Sequence, residues 1–175
     1  MPKAAHAPRE PIATGPDQLD ASRFRPETRR RLSAPALRTF LEIADRWGLR
    51  EEERRLILGL PSRSTYHNWA RTARMNGDIT LDVDTLTRLS AVLGIYQALR
   101  ILHPTEEEGT AWLRRPHAAP VFGGRPPMAL LTSGTQDGLL SVRRFLDGAR
   151  GGVYMPPNAV DAAFTPYTDS DIVLT

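Results

Sequence analysis

Residues 81–103 read LDVDTLTRLSAVLGIYQALRILH, the most apolar helical stretch in a chain of 175 residues. Leu86, Leu89, Val92, Leu93, Tyr96, Leu99 and Ile101 recur at three- and four-residue steps, and Ile95 and Leu102 widen the apolar surface beyond one stripe. Such a helix must be covered on more than one side, so it is expected to be a core shared by modules before and after it. Gly94 lowers its helix propensity and lets a neighbouring element approach closely. An ordinary buried helix carries the same pattern.

On the N-terminal side, Met75 to Thr80 is a turn around Asn76-Gly77. Further back, Ser33 with Pro35 marks a helix start, and Leu37, Phe40, Leu41, Ala44 and Trp47 form one apolar face that stops at Gly48. Glu51, Glu52 and Glu53 open a short helix with Leu56, Ile57 and Leu58 inward. Gly59-Leu60-Pro61 ends it, and Ser62 or Ser64 caps the next, whose apolar positions are Tyr66, Trp69, Ala70 and Ala73. The other face of that helix carries Arg63, Ser64, Thr65, His67, Asn68, Arg71 and Arg74.

A helix, a short Gly-containing turn and a second helix with such a face is the organisation of a helix-turn-helix DNA reader. Arg pairs with guanine edges or phosphates, Asn with adenine, and Ser or Thr at a helix start holds a phosphate oxygen beside free N–H groups. The solvated face of a small helical bundle gives the same outline. Residues 1–32, broken by Pro2, Pro8, Pro11, Pro16 and Pro26, are expected to be a disordered arm. Its closing run Arg29-Arg30-Arg31 is either a phosphate-backbone contact or a solvated flank.

On the C-terminal side, Thr105 caps a short helix with Glu106, Glu107 and Glu108 in its first turn and Ala111, Trp112 and Leu113 on its apolar side. Pro116, Pro120, Gly123, Gly124, Pro126 and Pro127 then require a stiff, specially turned loop, followed by a helix carrying Met128, Leu130 and Leu131. Asp137 to Ala149 is a last amphipathic helix with Leu139, Leu140, Val142, Phe145 and Leu146. The Gly-Gly-Arg loop lacks the Lys-Ser/Thr of a P-loop and has no strand before it, so a phosphate cradle is set aside.

A net charge of +3 conceals an asymmetry. Arg23 to Arg74 holds thirteen Arg against six acids, whereas Val153 to Thr175 holds three Asp and no Lys or Arg. Partners of opposite charge are expected at the two ends. There is no cysteine, and His6, His67, His103 and His117 are scattered without ligand spacing, so no metal or disulfide is expected. No nucleophile with a base and no credible carboxylate pair points to an enzyme. No apolar run reaches the length of a membrane span and residues 1–10 lack the apolar core of a secretory signal, so the expected location is the cytoplasm.

One ordered set of motifs runs through the second half: Leu93-Gly94-Ile95-Tyr96; Trp112-Leu113 before a Pro-containing loop; Gly123-Gly124-Arg125-Pro126-Pro127 leading into Leu130-Leu131; and Gly151 to Tyr154. With the helices before it, this set resembles the Xre/MbcA/ParS antitoxins over residues 37–154. The resemblance implies a type II antitoxin, without cofactor, whose C-terminal domain binds a toxin of the RES-domain type. Such toxins resemble ADP-ribosyltransferases and consume NAD, and the antitoxin blocks that site while its N-terminal helices bind operator DNA and repress their own operon. Arg125, Met128, Leu131 and Tyr154 are then the toxin-binding positions. The loop here reads Pro-His-Ala-Ala-Pro where the family commonly has Asn-Pro.

Beyond Tyr154 the chain continues with Pro156, Pro157 and Pro166, apolar anchors including Phe164, Tyr167, Ile172, Val173 and Leu174, and the acids Asp169 and Asp171. An extended acidic peptide of this kind can occupy a toxin cleft built for an anionic cofactor. A disordered terminus or a strand packed on the protein itself are the other readings. The expected fold is all-α: an arm (1–32), an Xre-like helix-turn-helix bundle for DNA binding and dimerisation (33–103), a small helical toxin-binding domain joined to it by the long shared helix (104–154), and an acidic tail (155–175). A homodimer is expected, with a higher-order complex on toxin binding. The alternative is a helix-turn-helix transcriptional regulator whose C-terminal module dimerises or senses a ligand, with no toxin partner.

Overall fold

In the computed structural model, which describes residues 25–151, the chain forms seven α-helices and, among those residues, no strand. They are α1 (Pro26–Arg46), α2 (Glu51–Ile57), α3 (Arg63–Arg74), α4 (Val83–Leu102), α5 (Glu106–Arg114), α6 (Pro127–Leu131) and α7 (Gln136–Arg150). The expected all-α architecture is thus observed. Side-chain caps fix most starts. Asp82 accepts from the Thr85 N–H at 2.7 Å to open α4, Thr105 from Glu108 at 3.2 Å to open α5, and Thr135 from Gly138 at 3.1 Å to open α7. Of the two serines before α3, Ser62 is the cap, accepting from the Thr65 N–H at 3.1 Å.

The first helix corrects the expected start at Ser33. Pro26 occupies the opening turn of α1 with Glu27 beside it, a start signal that the later Pro35 obscured. Pro35 lies inside the helix, where it leaves the carbonyl of Arg31 without its N–H partner; both residues are exposed. Ser33 is wholly buried and acts as a bridge, donating to the Arg29 carbonyl at 2.7 Å and accepting the Leu81 N–H at 2.9 Å. The basic run expected to close a disordered arm therefore belongs to α1. Arg29 donates to the Leu81 carbonyl at 3.0 Å, Arg30 pairs with Asp78, and Arg31 is exposed.

The shared helix is covered as its pattern required. α4 packs on α1, α5 and α7, and its Leu89, Val92, Ile95, Ala98 and Leu99 join one core with Leu37, Phe40 and Leu41 of α1 and Leu139, Val142 and Leu146 of α7. Ile101, expected among the apolar positions, is 57% exposed. At Gly94 the close neighbour is a side chain: the Arg143 guanidinium stands where a Cβ would project. Two arginines are among the charged groups that tie the halves together. Arg88, 8% exposed, donates to Asp84 at 2.6 Å and to the Gly134 carbonyl at 3.0 Å, and Arg114 donates to the Trp47 carbonyl at 2.6 Å. No helix among the described residues is long and apolar enough to cross a membrane.

Candidate functional site

Tyr66, Ala70 and Ala73 bury one stripe of α3, which packs on α1, and a helix anchored on one stripe must turn the opposite one outward. Arg63, Ser64, His67, Asn68, Arg71 and Arg74 are accordingly exposed and Thr65 is half-buried, so the seven candidates share the outer side of one helix. The turn before it is sharp. Gly59 and Leu60 are both left-handed, at φ +87° and +61°, which costs glycine little and strains leucine. At the start of α3, the Ser62 hydroxyl meets those of Ser64 at 3.0 Å and Thr65 at 2.8 Å, a polar cluster at the helix N-terminus.

A carboxylate organises the middle of this surface. Arg63 Nε donates to Glu51 Oε1 at 2.8 Å, and His67 Nε2 lies 3.2 Å from Glu51 Oε2. The Arg63 hydrogen bond holds the Glu51 carboxyl below the usual carboxylate range and, reciprocally, strengthens the charged form of Arg63. One turn on, Arg71 donates to Asn68 Oδ1 at 3.1 Å. Sequence reasoning passed over Glu51 because an acid in a first turn reads as a complement to the helix dipole. Its reach into the next helix is set by the turn. Arg, His and Asn on one outward stripe of a second helix suit the floor of a major groove, with hydroxyls at the helix start for a phosphate.

In the other half, Pro120–Phe122 forms a single 3-10 turn with Phe122 buried, and Gly123 and Gly124 follow at φ +55° and +75°. This geometry sets Arg125 on the surface and Pro127 at the start of α6. Met128 and Leu131, expected among the toxin-binding positions, are 6% and 0% exposed and belong to the core, because α6 turns its apolar side onto α5 and α7. Tyr154, Phe164, Tyr167, Asp169 and Asp171 lie outside the described residues.

An aromatic cluster that periodicity did not reveal stands beside α6. Phe145 is ringed by Phe122 at 4.9 Å, His117 at 5.1 Å and Trp112 at 6.0 Å between ring centroids. His117 comes from a Pro-rich loop with no helical repeat, and its Nδ1 accepts the Ala119 N–H at 3.1 Å. The cluster borders a shallow cleft of about 460 Å³ that also takes in Leu102, His103 and Ala149, near the end of α7. At the junction of the halves, Tyr96 donates to Glu106 at 2.8 Å and Arg46 to the other oxygen at 2.7 Å. These contacts, Tyr96 first, hold the Glu106 carboxyl low, while burial pushes the Tyr96 hydroxyl up.

Comparison with known proteins divides the chain in the same way. The family model of the antitoxin Xre-like helix-turn-helix domain matches residues 27–94, and that of the antitoxin Xre/MbcA/ParS C-terminal toxin-binding domain matches residues 98–152. The first match starts in the first turn of α1, and the boundary between the two falls inside α4. The uncharacterized protein y4oB of Sinorhizobium fredii (strain NBRC 101917 / NGR234) is 39% identical over 116 residues, which is 66% of this chain and 84% of that protein. With a helix-turn-helix half and a toxin-binding half sharing one central helix, the chain belongs to the Xre/MbcA/ParS antitoxins.

Proposed function

We propose that this antitoxin neutralises a RES-domain toxin, NAD-consuming and ADP-ribosyltransferase-like, by blocking its active site in the cytoplasm, and represses its own operon. The observation that carries the DNA half is the outward side of α3, where every polar candidate but the half-buried Thr65 is exposed while the inner stripe is fixed in the core. Arg63, His67 and Asn68 read base edges; Ser64, Thr65, Arg71 and Arg74 hold the backbone. The chain acts as a homodimer, paired through the groove of about 390 Å³ between α1 and α4 lined by Leu32, Ala36, Val83, Leu86 and Leu93. Two-fold pairing there presents two copies of α3 to two half-sites.

Residues 104–154 hold the toxin, with Arg125 at the loop tip and Tyr154 in direct contact, and Met128 and Leu131 supporting α6 from beneath. Phe164, Tyr167, Asp169 and Asp171 of the tail enter the basic NAD pocket, and the dimer with its toxins forms a higher-order complex. Co-expression with the neighbouring gene, affinity purification and a growth assay test the toxin half. Co-purification and rescue of growth are expected, and truncation after Met155 is expected to weaken both. DNA binding without any such partner would favour the plain regulator. For the DNA half, Arg71→Ala is expected to weaken binding to the DNA upstream of the operon and to lower the salt slope by about 1, as loss of one phosphate contact requires.

A further inference from the structure

A carboxylate stands inside a surface built to meet polyphosphate, and the geometry gives it a task. Both oxygens of Glu51 are engaged: Oε1 by Arg63 Nε at 2.8 Å, Oε2 by His67 Nε2 at 3.2 Å. Its side chain is 32% exposed, while those of Arg63 and His67 are 75% and 61% exposed. A guanidinium gripped through Nε keeps its two terminal amines, and that edge matches the O6 and N7 acceptors of guanine. In the neutral tautomer with its proton on Nε2, facing Glu51, His67 keeps Nδ1 as an acceptor, which matches the amino group of adenine or cytosine. Without Glu51, both side chains sample many rotamers and meet phosphates as readily as bases.

We infer that Glu51 is the positioning residue of base reading, holding Arg63 for a guanine and His67 for a base amino group. This rests on the DNA-binding reading above. A buttress of this kind gives up general affinity, since the carboxylate repels phosphate, and gains sequence preference. Removing it must therefore move the two kinds of binding in opposite directions. Loss of a merely structural contact weakens them together.

The test is selection from a randomised 30-base-pair duplex library by the full-length wild type, followed by affinities of wild type, Glu51→Ala, Glu51→Gln and Arg63→Ala for the selected duplex and for unselected duplex. Glu51→Ala is expected to bind the selected duplex roughly five- to a hundredfold more weakly, the span of one good base contact. It is expected to bind unselected duplex about two- to fivefold more tightly, as loss of one surface repulsion allows. Glu51→Gln, which keeps an acceptor for Arg63 Nε, should retain most of the guanine preference. Arg63→Ala should lose the same guanine, and adding Glu51→Ala to it should leave that position unchanged. A Glu51→Ala chain that folds and selects the wild-type sequence with full preference overturns the inference alone. A wild type that selects no sequence overturns the DNA-binding reading, and the inference with it.

Discussion

Ser33 has no exposure and joins two elements through one hydroxyl, which satisfies the Leu81 N–H just before α4. Ser33→Ala leaves that donor unpaired in the interior and is expected to cost about 1–3 kcal/mol, read as a lower urea midpoint at unchanged slope. Two helical glycines make the same kind of argument with opposite outcomes. A Cβ on Gly138 would meet the backbone carbonyl of Leu130 and come within 2.6 Å of the Ser133 hydroxyl. Backbone cannot swing away, so Gly138→Ala is expected to destabilise by about 1–3 kcal/mol despite alanine's better helix propensity. At Gly94 the obstacle is the guanidinium end of Arg143, a flexible side chain 32% exposed that can swing outward by giving up its long surface contact with the Ser90 carbonyl at 3.4 Å. Gly94→Ala is therefore expected to stay within about 1 kcal/mol of wild type in the same titration. In the sequence both positions are glycines within helical apolar patterns; what separates them is the atom standing opposite.

At the scale of elements, the limits of the sequence follow from which signals are local. α4 was legible to within about two residues because its apolar density is written along the chain, whereas its Asp82 cap appears only in the structure. The start of α1 was not, because Pro35 reads as a start wherever it stands, and only the exposure of its side of the helix makes it tolerable inside. The outer stripe of α3 was legible because polar residues at helical spacing have one place to go. The burial of Met128 and Leu131 was not legible for the converse reason, since an apolar side chain suits a core and a protein interface equally. Contacts between elements, such as those of Glu106 with Tyr96 and Arg46, leave no trace in spacing. That junction makes a prediction about pH. Because Tyr96, then Arg46, holds the folded-state pKa of Glu106 below its unfolded value, its stabilisation is present above the unfolded value and is lost as pH falls through the folded one. Melting temperature should therefore drop more steeply from about pH 5 towards 3 in wild type than in Glu106→Gln. Equal slopes would remove Glu106 from the account of acid sensitivity.

For the whole molecule, the position of α4 decides whether two functional halves are two folding units. Its buried residues face α1 on one side and α7 on another within one core, and the ties of Arg88 to Gly134 and Arg114 to Trp47 cross the same junction. A helix held by both halves cannot lose one partner and stay well covered, since most helical stability comes from packing of its apolar surface. Unfolding should then be one cooperative event, although DNA and toxin surfaces lie in different halves. The tryptophans provide local probes: Trp47 is buried at the end of α1, and Trp112 sits on α5 in the aromatic cluster. In two variants that each keep one of these and carry Phe at the other tryptophan positions, the fluorescence transition in urea should coincide with loss of helical circular dichroism. Leu139→Ala, which empties a fully buried site on α7, is expected to cost about 2–5 kcal/mol. It should lower the midpoint seen by Trp47 as much as that seen by Trp112, because the Trp47 half cannot keep α4 once α7 has gone. A Trp47 transition unmoved by Leu139→Ala would mean that the helix-turn-helix half holds α4 unaided. Loss of the toxin-binding half would then leave a folded DNA reader behind.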